Sequence, residues 1–130
     1  MLLWRRALTL LALLPGFAAA GEPVSLAQKP LDTPPGVVSG PAARALVKAG
    51  AVLVDVRTRA EYDAGHVPGA KHVPYHELAA RISEIGDPKT PVVVYCRTGR
   101  RSGIAVQTLK KLGFEKVWDM QTVERWSEAQ

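Results

Sequence analysis

The only cysteine of the chain, Cys96, opens the segment Cys96-Arg97-Thr98-Gly99-Arg100-Arg101. It follows Val92-Val93-Val94-Tyr95, the strongest strand signal in the sequence, and precedes a helical pattern that begins near Ser102. A tight loop between a buried strand and a helix can turn successive backbone N–H groups toward one atom and form an anion-binding nest. The helix N-terminus adds partial positive charge, and Arg97, Arg100 and Arg101 add cations. All of these favour thiolate over thiol, and the thiolate is the nucleophile. Gly99 permits a backbone conformation that a side chain would oppose. A lone cysteine is most often a small buried hydrophobe, but the arginines clustered behind this one make that reading poor. The chemistry to expect is nucleophilic attack by Cys96.

Other residues weigh less. Asp55 and Arg57 leave a buried strand on the same edge and are possible accessory contacts to substrate. A bracing role suits them better, with Arg57 and Glu61 placed to pair across one helical turn. His66, in Gly65-His66-Val67-Pro68-Gly69, is expected to hydrogen-bond backbone rather than transfer protons. His72 and His76 have the spacing of helical metal ligands, but Pro74 between them opposes a continuous helix, so no metal site is expected. Trp118 and Trp126 are expected to pack in the core or at its edge.

The elements that must position these groups alternate in period. Residues 41–49 read as a helix, with Pro at its first turn and Gly50 just past its end. Residues 51–56 form a continuous apolar run of strand length, and 59–64 read as a short helix closed by Gly65. A short strand is expected at 70–73, then a helix from Pro74 to about Ile85, ended by Gly86-Asp87-Pro88. Residues 102–112 place Ala105, Val106, Leu109 and Leu112 on one helical face, with Gly113 as cap. A last strand is expected at 114–120, followed by a short polar helix containing Trp126. All-apolar strands alternating with helices imply an α/β fold, a mostly parallel central sheet with helices on both faces. Sites in such sheets form beyond the carboxyl ends of the strands, where the Cys96 loop emerges.

Length and composition bound the rest. A chain of 130 residues, 47% hydrophobic and 22% charged, suits one globular domain. One cysteine excludes an internal disulfide framework. Arg5 and Arg6, an apolar run from Ala7 to Leu14 and the end Ala18-Ala19-Ala20 have the form of a cleaved secretory signal over 1–20. Its apolar stretch is too short to span a bilayer, so no stable membrane insertion is expected after cleavage. The mature protein is expected to be exported, and periplasmic if bacterial. Without the two leader arginines, 15 basic residues face 12 acidic ones, too mild a balance to argue for nucleic acid. Residues 21–37, with four prolines and no apolar periodicity, read as an extended linker, leaving 38–130 for the fold.

LVDVRTRAEYDAGHVPGA at 53–70, VVVYCRTGRRS at 92–102 and the late Trp126 resemble the rhodanese family of sulfurtransferases. The resemblance implies a rhodanese-like fold and a Cys96 persulfide, formed from a small anionic donor such as thiosulfate and discharged to cyanide or a thiol. It implies no cofactor. The loop amides, Thr98 and Gly99 among them, would hold the sulfur's charge with Arg101, while Arg97 and Arg100 steer the donor. Phosphatases and arsenate reductases with a related loop use Cys-x5-Arg to admit a tetrahedral oxyanion. Here Cys-x4-Arg ends at Arg101, Ser102 stands at the phosphatase arginine position, and those activities are disfavoured. The family commonly carries Gly-Gly where this chain has Gln121-Thr122. Side chains there are expected to narrow the mouth of the site or change the turn, which keeps open a catalytically weak module that binds sulfur species or a partner protein.

Overall fold

The computed structural model describes residues 29–130. The expected leader and its cleavage point, and the stretch 21–28 of the expected linker, lie outside the described residues. Five strands form one all-parallel sheet: β1 (Gly36–Val37), β2 (Val52–Asp55), β3 (Lys71–His72), β4 (Val92–Cys96) and β5 (Val117–Thr122), in the order β1-β5-β4-β2-β3. Three α-helices accompany it among the described residues: α1 (Gly40–Lys48), α2 (Arg59–Ala64) and α3 (Arg100–Lys111).

β4 lies at the centre and is buried along its whole length. Its side chains alternate, as a pleated strand requires. Val92, Val94 and Cys96 join the apolar cluster that includes Ala105 and Leu109 of α3 and Leu78 and Ile85 of the β3–β4 connection. Val93 and Tyr95 join the opposite cluster, with Ala43 and Leu46 of α1 and with Trp118 and Met120 of β5. Each face of the sheet therefore has its own core, and both faces are covered. The parity of β4 decides that Cys96 belongs to the α3 face.

Local signals set the helix starts. The Ser39 side chain accepts from the Ala42 amide at the start of α1, with Pro41 in its first turn. At α2, Thr58 and Glu61 form a reciprocal capping box. α3 begins two residues earlier than the apolar pattern indicates, so Arg100 and Arg101 form its first turn behind a left-handed Gly99 (φ 98°).

Two expectations fail. The Pro-rich stretch is not a free linker from Pro30 onward. Pro30–Asp32 forms a 3-10 turn, Gly36–Val37 pairs with β5, and the indole N–H of buried Trp118 donates to the carbonyls of Thr33 and Pro34 (3.1 Å each). A buried indole needs an acceptor, and this segment supplies it. The helix expected from Pro74 to Ile85 is instead two 3-10 turns, Tyr75–Glu77 and Ile82–Glu84. Arg81 leaves helical geometry between them (φ −111°, ψ 21°), and its guanidinium bonds the His72 carbonyl and the carboxylates of Glu77 and Glu84. Leu78 and Ile85 still reach the core with their apolar spacing. That spacing alone cannot tell a helix from turns that bury the same residues.

Candidate active site

The loop after β4 wraps its own sulfur. The Gly99 amide donates to Cys96 Sγ (3.0 Å), and Ser102 Oγ lies 3.5 Å from it. Ser102 also donates to the Gly99 carbonyl (3.2 Å), which ties the first turn of α3 to the loop. Burial pushes the Cys96 thiol up, but the Ser102 hydroxyl and the amides of Ser102, Gly99 and Thr98 outweigh it. The net effect holds the thiol below its ordinary value. These are the donors of an anion nest converging on one atom.

The arginines divide. Arg97 and Arg100 are exposed on the loop surface. Arg101 is half-buried and donates through both terminal nitrogens to the two carboxylate oxygens of Glu61 (2.7 and 3.0 Å). The hydrogen bond to the sulfur thus comes from the Gly99 amide, with Ser102 Oγ beside it, and not from an arginine. Arg101 still senses the sulfur, whose charge adds to the Glu61 hydrogen bond in raising its pKa. Arg100 and Arg101 also sit at the positive end of a helix, where cations are ordinarily disfavoured. An anion bound there would relieve that repulsion.

Glu61 was expected to face Arg57 across a helical turn. It instead closes the α2 capping box and grips Arg101. The Arg101 hydrogen bond is the main cause that lowers the Glu61 carboxyl to about 2. Arg57 turns to Asp55: its Nη2 lies 2.7 Å from Oδ2, its Nε 3.0 Å from Oδ1, and its Nη2 also donates to the Gly65 carbonyl (2.7 Å). Both residues are buried and engaged with each other, which braces the β2–α2 corner, and Asp55 pairs in register with Tyr95 rather than with Cys96. His66 Nδ1 meets the Tyr62 carbonyl (2.8 Å), and its ring stacks on Tyr62. His72 Nε2 meets the Arg57 carbonyl (2.8 Å), while His76 lies on the surface beside Glu77. Trp126 packs at the edge of the α1-side core.

A profile of the rhodanese-like domain matches residues 41–128. The chain belongs to the rhodanese-like family. This rhodanese-like domain is 42% identical over 78 residues to the thiosulfate sulfurtransferase GlpE of Pseudomonas fluorescens, covering 60% of this chain and 71% of that one. It is 41% identical over 69 residues to a sulfurtransferase of Allochromatium vinosum, covering 53% and 64%. The human single-domain sulfurtransferase TSTD1 superposes with a TM-score of 0.62 at 30% identity, covering 72% of this chain and 97% of that one. The chain spans between 35% and 64% of the length of three curated relatives that it matches.

Two residues near the sulfur, Ser102 and Asp119, escaped the sequence reading as parts of this rhodanese-like site, whereas Gln121 was singled out there. Ser102 shares the buried stripe of α3 with Ala105 and Leu109, and a hydroxyl on such a stripe must find a partner. That was a usable signal. Asp119 is buried on β5. Burial raises its pKa, against the Ser102 hydroxyl and the Gln121 amide, which donates to Asp119 Oδ1 (2.8 Å). Gln121 follows an extra residue in β5, since Val94 pairs with Asp119 but Tyr95 pairs with Gln121. Gln121 holds φ at 71°, the one left-handed non-glycine among the described residues.

Proposed function

We propose that this domain moves a sulfane sulfur from an anionic donor such as thiosulfate to a thiophilic acceptor, cyanide or a thiol, through a persulfide on Cys96. The observation that carries the reading is the loop folded onto its own sulfur: the Gly99 amide donates to Sγ at 3.0 Å, and Ser102 Oγ lies 3.5 Å from it. Family membership and relatives named as thiosulfate sulfurtransferases support it. The Cys96 thiolate attacks the outer sulfur of thiosulfate, a new S–S bond forms, and the old one breaks as sulfite leaves with its electron pair. The terminal sulfur then carries the negative charge, which the loop amides of Thr98 and Gly99 would hold. Cyanide attacks that sulfur, departs as thiocyanate and returns the thiolate. Arg101 adds charge behind the loop, while Arg97 and Arg100 draw the donor from solution.

The chemistry is tested by intact mass. Thiosulfate should add about 32 Da to the protein, the mass of one sulfur, and cyanide should remove it. Cys96→Ser should show no addition. A folded wild-type protein that gains no mass under anaerobic conditions would sink the reading. Two observations favour a second reading, a module that binds sulfur species or a partner with little turnover: Cys96 has no exposed surface, and Gln121 lies against its loop. Formation of the persulfide without discharge to cyanide or thiols would select that reading.

We also infer that residues 1–20 are a secretory signal and that the mature domain works outside the cytosol. No helix among the described residues is long and apolar enough to cross a membrane. N-terminal sequencing of protein from the exporting host should begin at Gly21. A retained Met1 in a soluble cytoplasmic fraction would refute export.

A further inference from the structure

The path to the sulfur is shaped by a residue of β5. Cys96 pairs with Thr122 and Tyr95 with Gln121, so β5 delivers Gln121 to the same sheet edge as the Cys96 loop. The β-bulge and the left-handed backbone at φ 71° turn its side chain toward the loop. A methyl group on Gly99 would lie 3.4 Å from Gln121 Cβ and 3.7 Å from both Cγ and Cδ. Three successive side-chain carbons thus lie along Gly99, the residue whose amide bonds the sulfur. The Asp119 carboxylate locks this arrangement by accepting a hydrogen bond from the Gln121 backbone N–H (2.8 Å). The Gln121 carboxamide has no hydrogen-bond partner of its own among the described residues.

A left-handed conformation is costly for a residue with a Cβ. Glycine would occupy it freely and would leave the space beside Gly99 open. We propose that Gln121 is a specificity-determining residue: its side chain walls the approach to Cys96 and limits donors and acceptors to slender molecules. Cyanide and the protruding outer sulfur of thiosulfate can pass such a wall, whereas a reagent with a ring near its reactive atom meets Cβ, Cγ and Cδ. As a statement about sulfur transfer, the inference rests on the persulfide chemistry proposed above. As a statement about access to Cys96, it is measured separately.

The chain has one cysteine, so intact mass reports alkylation of Cys96 alone. Rates with iodoacetamide and with N-phenylmaleimide, each normalised to glutathione, should show the wild-type protein discriminating against the aromatic reagent. Gln121→Gly should raise the N-phenylmaleimide rate about tenfold or more while the iodoacetamide rate changes less than about threefold, a selectivity of the size that a few carbons in a pocket produce. Gln121→Ala, which keeps Cβ and loses Cγ and Cδ, should fall between. Melting of Gln121→Gly should be no lower than wild type, because glycine suits the backbone at this position. In kinetics, the ratio of kcat/KM for benzenethiosulfonate to that for thiosulfate should rise in the same order. Equal acceleration with both reagents, which would mean a loosened loop, or no acceleration with either, would overturn the proposal. A wild-type protein that shows size-selective alkylation but forms no persulfide would refute sulfur transfer and leave the wall standing.

Discussion

Arg101→Ala is expected to lower turnover at saturating thiosulfate roughly a hundredfold, the scale of losing one preorganised group from an anion-stabilising site. Arg100→Ala should leave that limit within severalfold, raise KM and flatten the dependence of kcat/KM on salt. The difference follows from where the two side chains go. Arg101 is held by two hydrogen bonds to Glu61 and stands where the charge of the sulfur reaches it. Charge that accumulates on the terminal sulfur during transfer therefore meets a fixed cation. Arg100 is exposed, so its attraction for a dianion is long-ranged, screened by salt, and the same for substrate and transition state. Arg101→Lys should recover little, because an ammonium cannot satisfy both Glu61 oxygens in the planar fork. Steady-state kinetics at two ionic strengths decide the matter. If Arg100→Ala abolishes turnover while Arg101→Ala only raises KM, the assignment is reversed.

Asp55→Ala is expected to destabilise the domain by about 3 kcal/mol or more in urea denaturation, because it leaves the buried Arg57 guanidinium without its counter-charge. Asp55 has no exposed surface and accepts from both the Arg57 side chain and the Arg57 amide (2.9 Å). A loss of this size is a large fraction of the roughly 5–15 kcal/mol that holds a typical domain together. The double variant Asp55→Ala/Arg57→Ala should cost clearly less than the two single changes combined, since no orphaned charge remains. Under conditions where Asp55→Ala is folded, its KM for thiosulfate should match wild type. A stability change under about 1 kcal/mol, or a KM rise in the folded variant, would return Asp55 and Arg57 to the substrate.

The local parts of the site were legible in the chain. A strand of consecutive β-branched residues, a lone thiol, a glycine and a helical stripe lie within one short segment. Local backbone chemistry suffices to place donors around Sγ, and Gly99 takes the left-handed conformation that such a turn needs. Partnerships across the chain were not legible. Glu61 has helical spacing to Arg57, yet it pairs with Arg101, which lies 40 residues away. The nearer cation is claimed by Asp55, whose buried carboxylate must be neutralised first. The 74–85 segment has helical periodicity, yet Arg81 breaks it to satisfy carbonyl and carboxylate partners.

By itself, then, the sequence determined the parallel α/β architecture, the strand that carries Cys96 and the short loop that follows it. Each of these depends on side-chain type and on contacts between near neighbours. Only the tertiary structure decided that Ser102 lies beside the sulfur, that Arg101 is held by Glu61, and that Pro30 to Val37 belongs to the fold. Only it decided that a bulge in β5 sets Gln121 against Gly99. Those outcomes depend on register between strands far apart in sequence and on competition among buried charges for partners. Neither has a local signature, because each is settled only when distant segments are packed together.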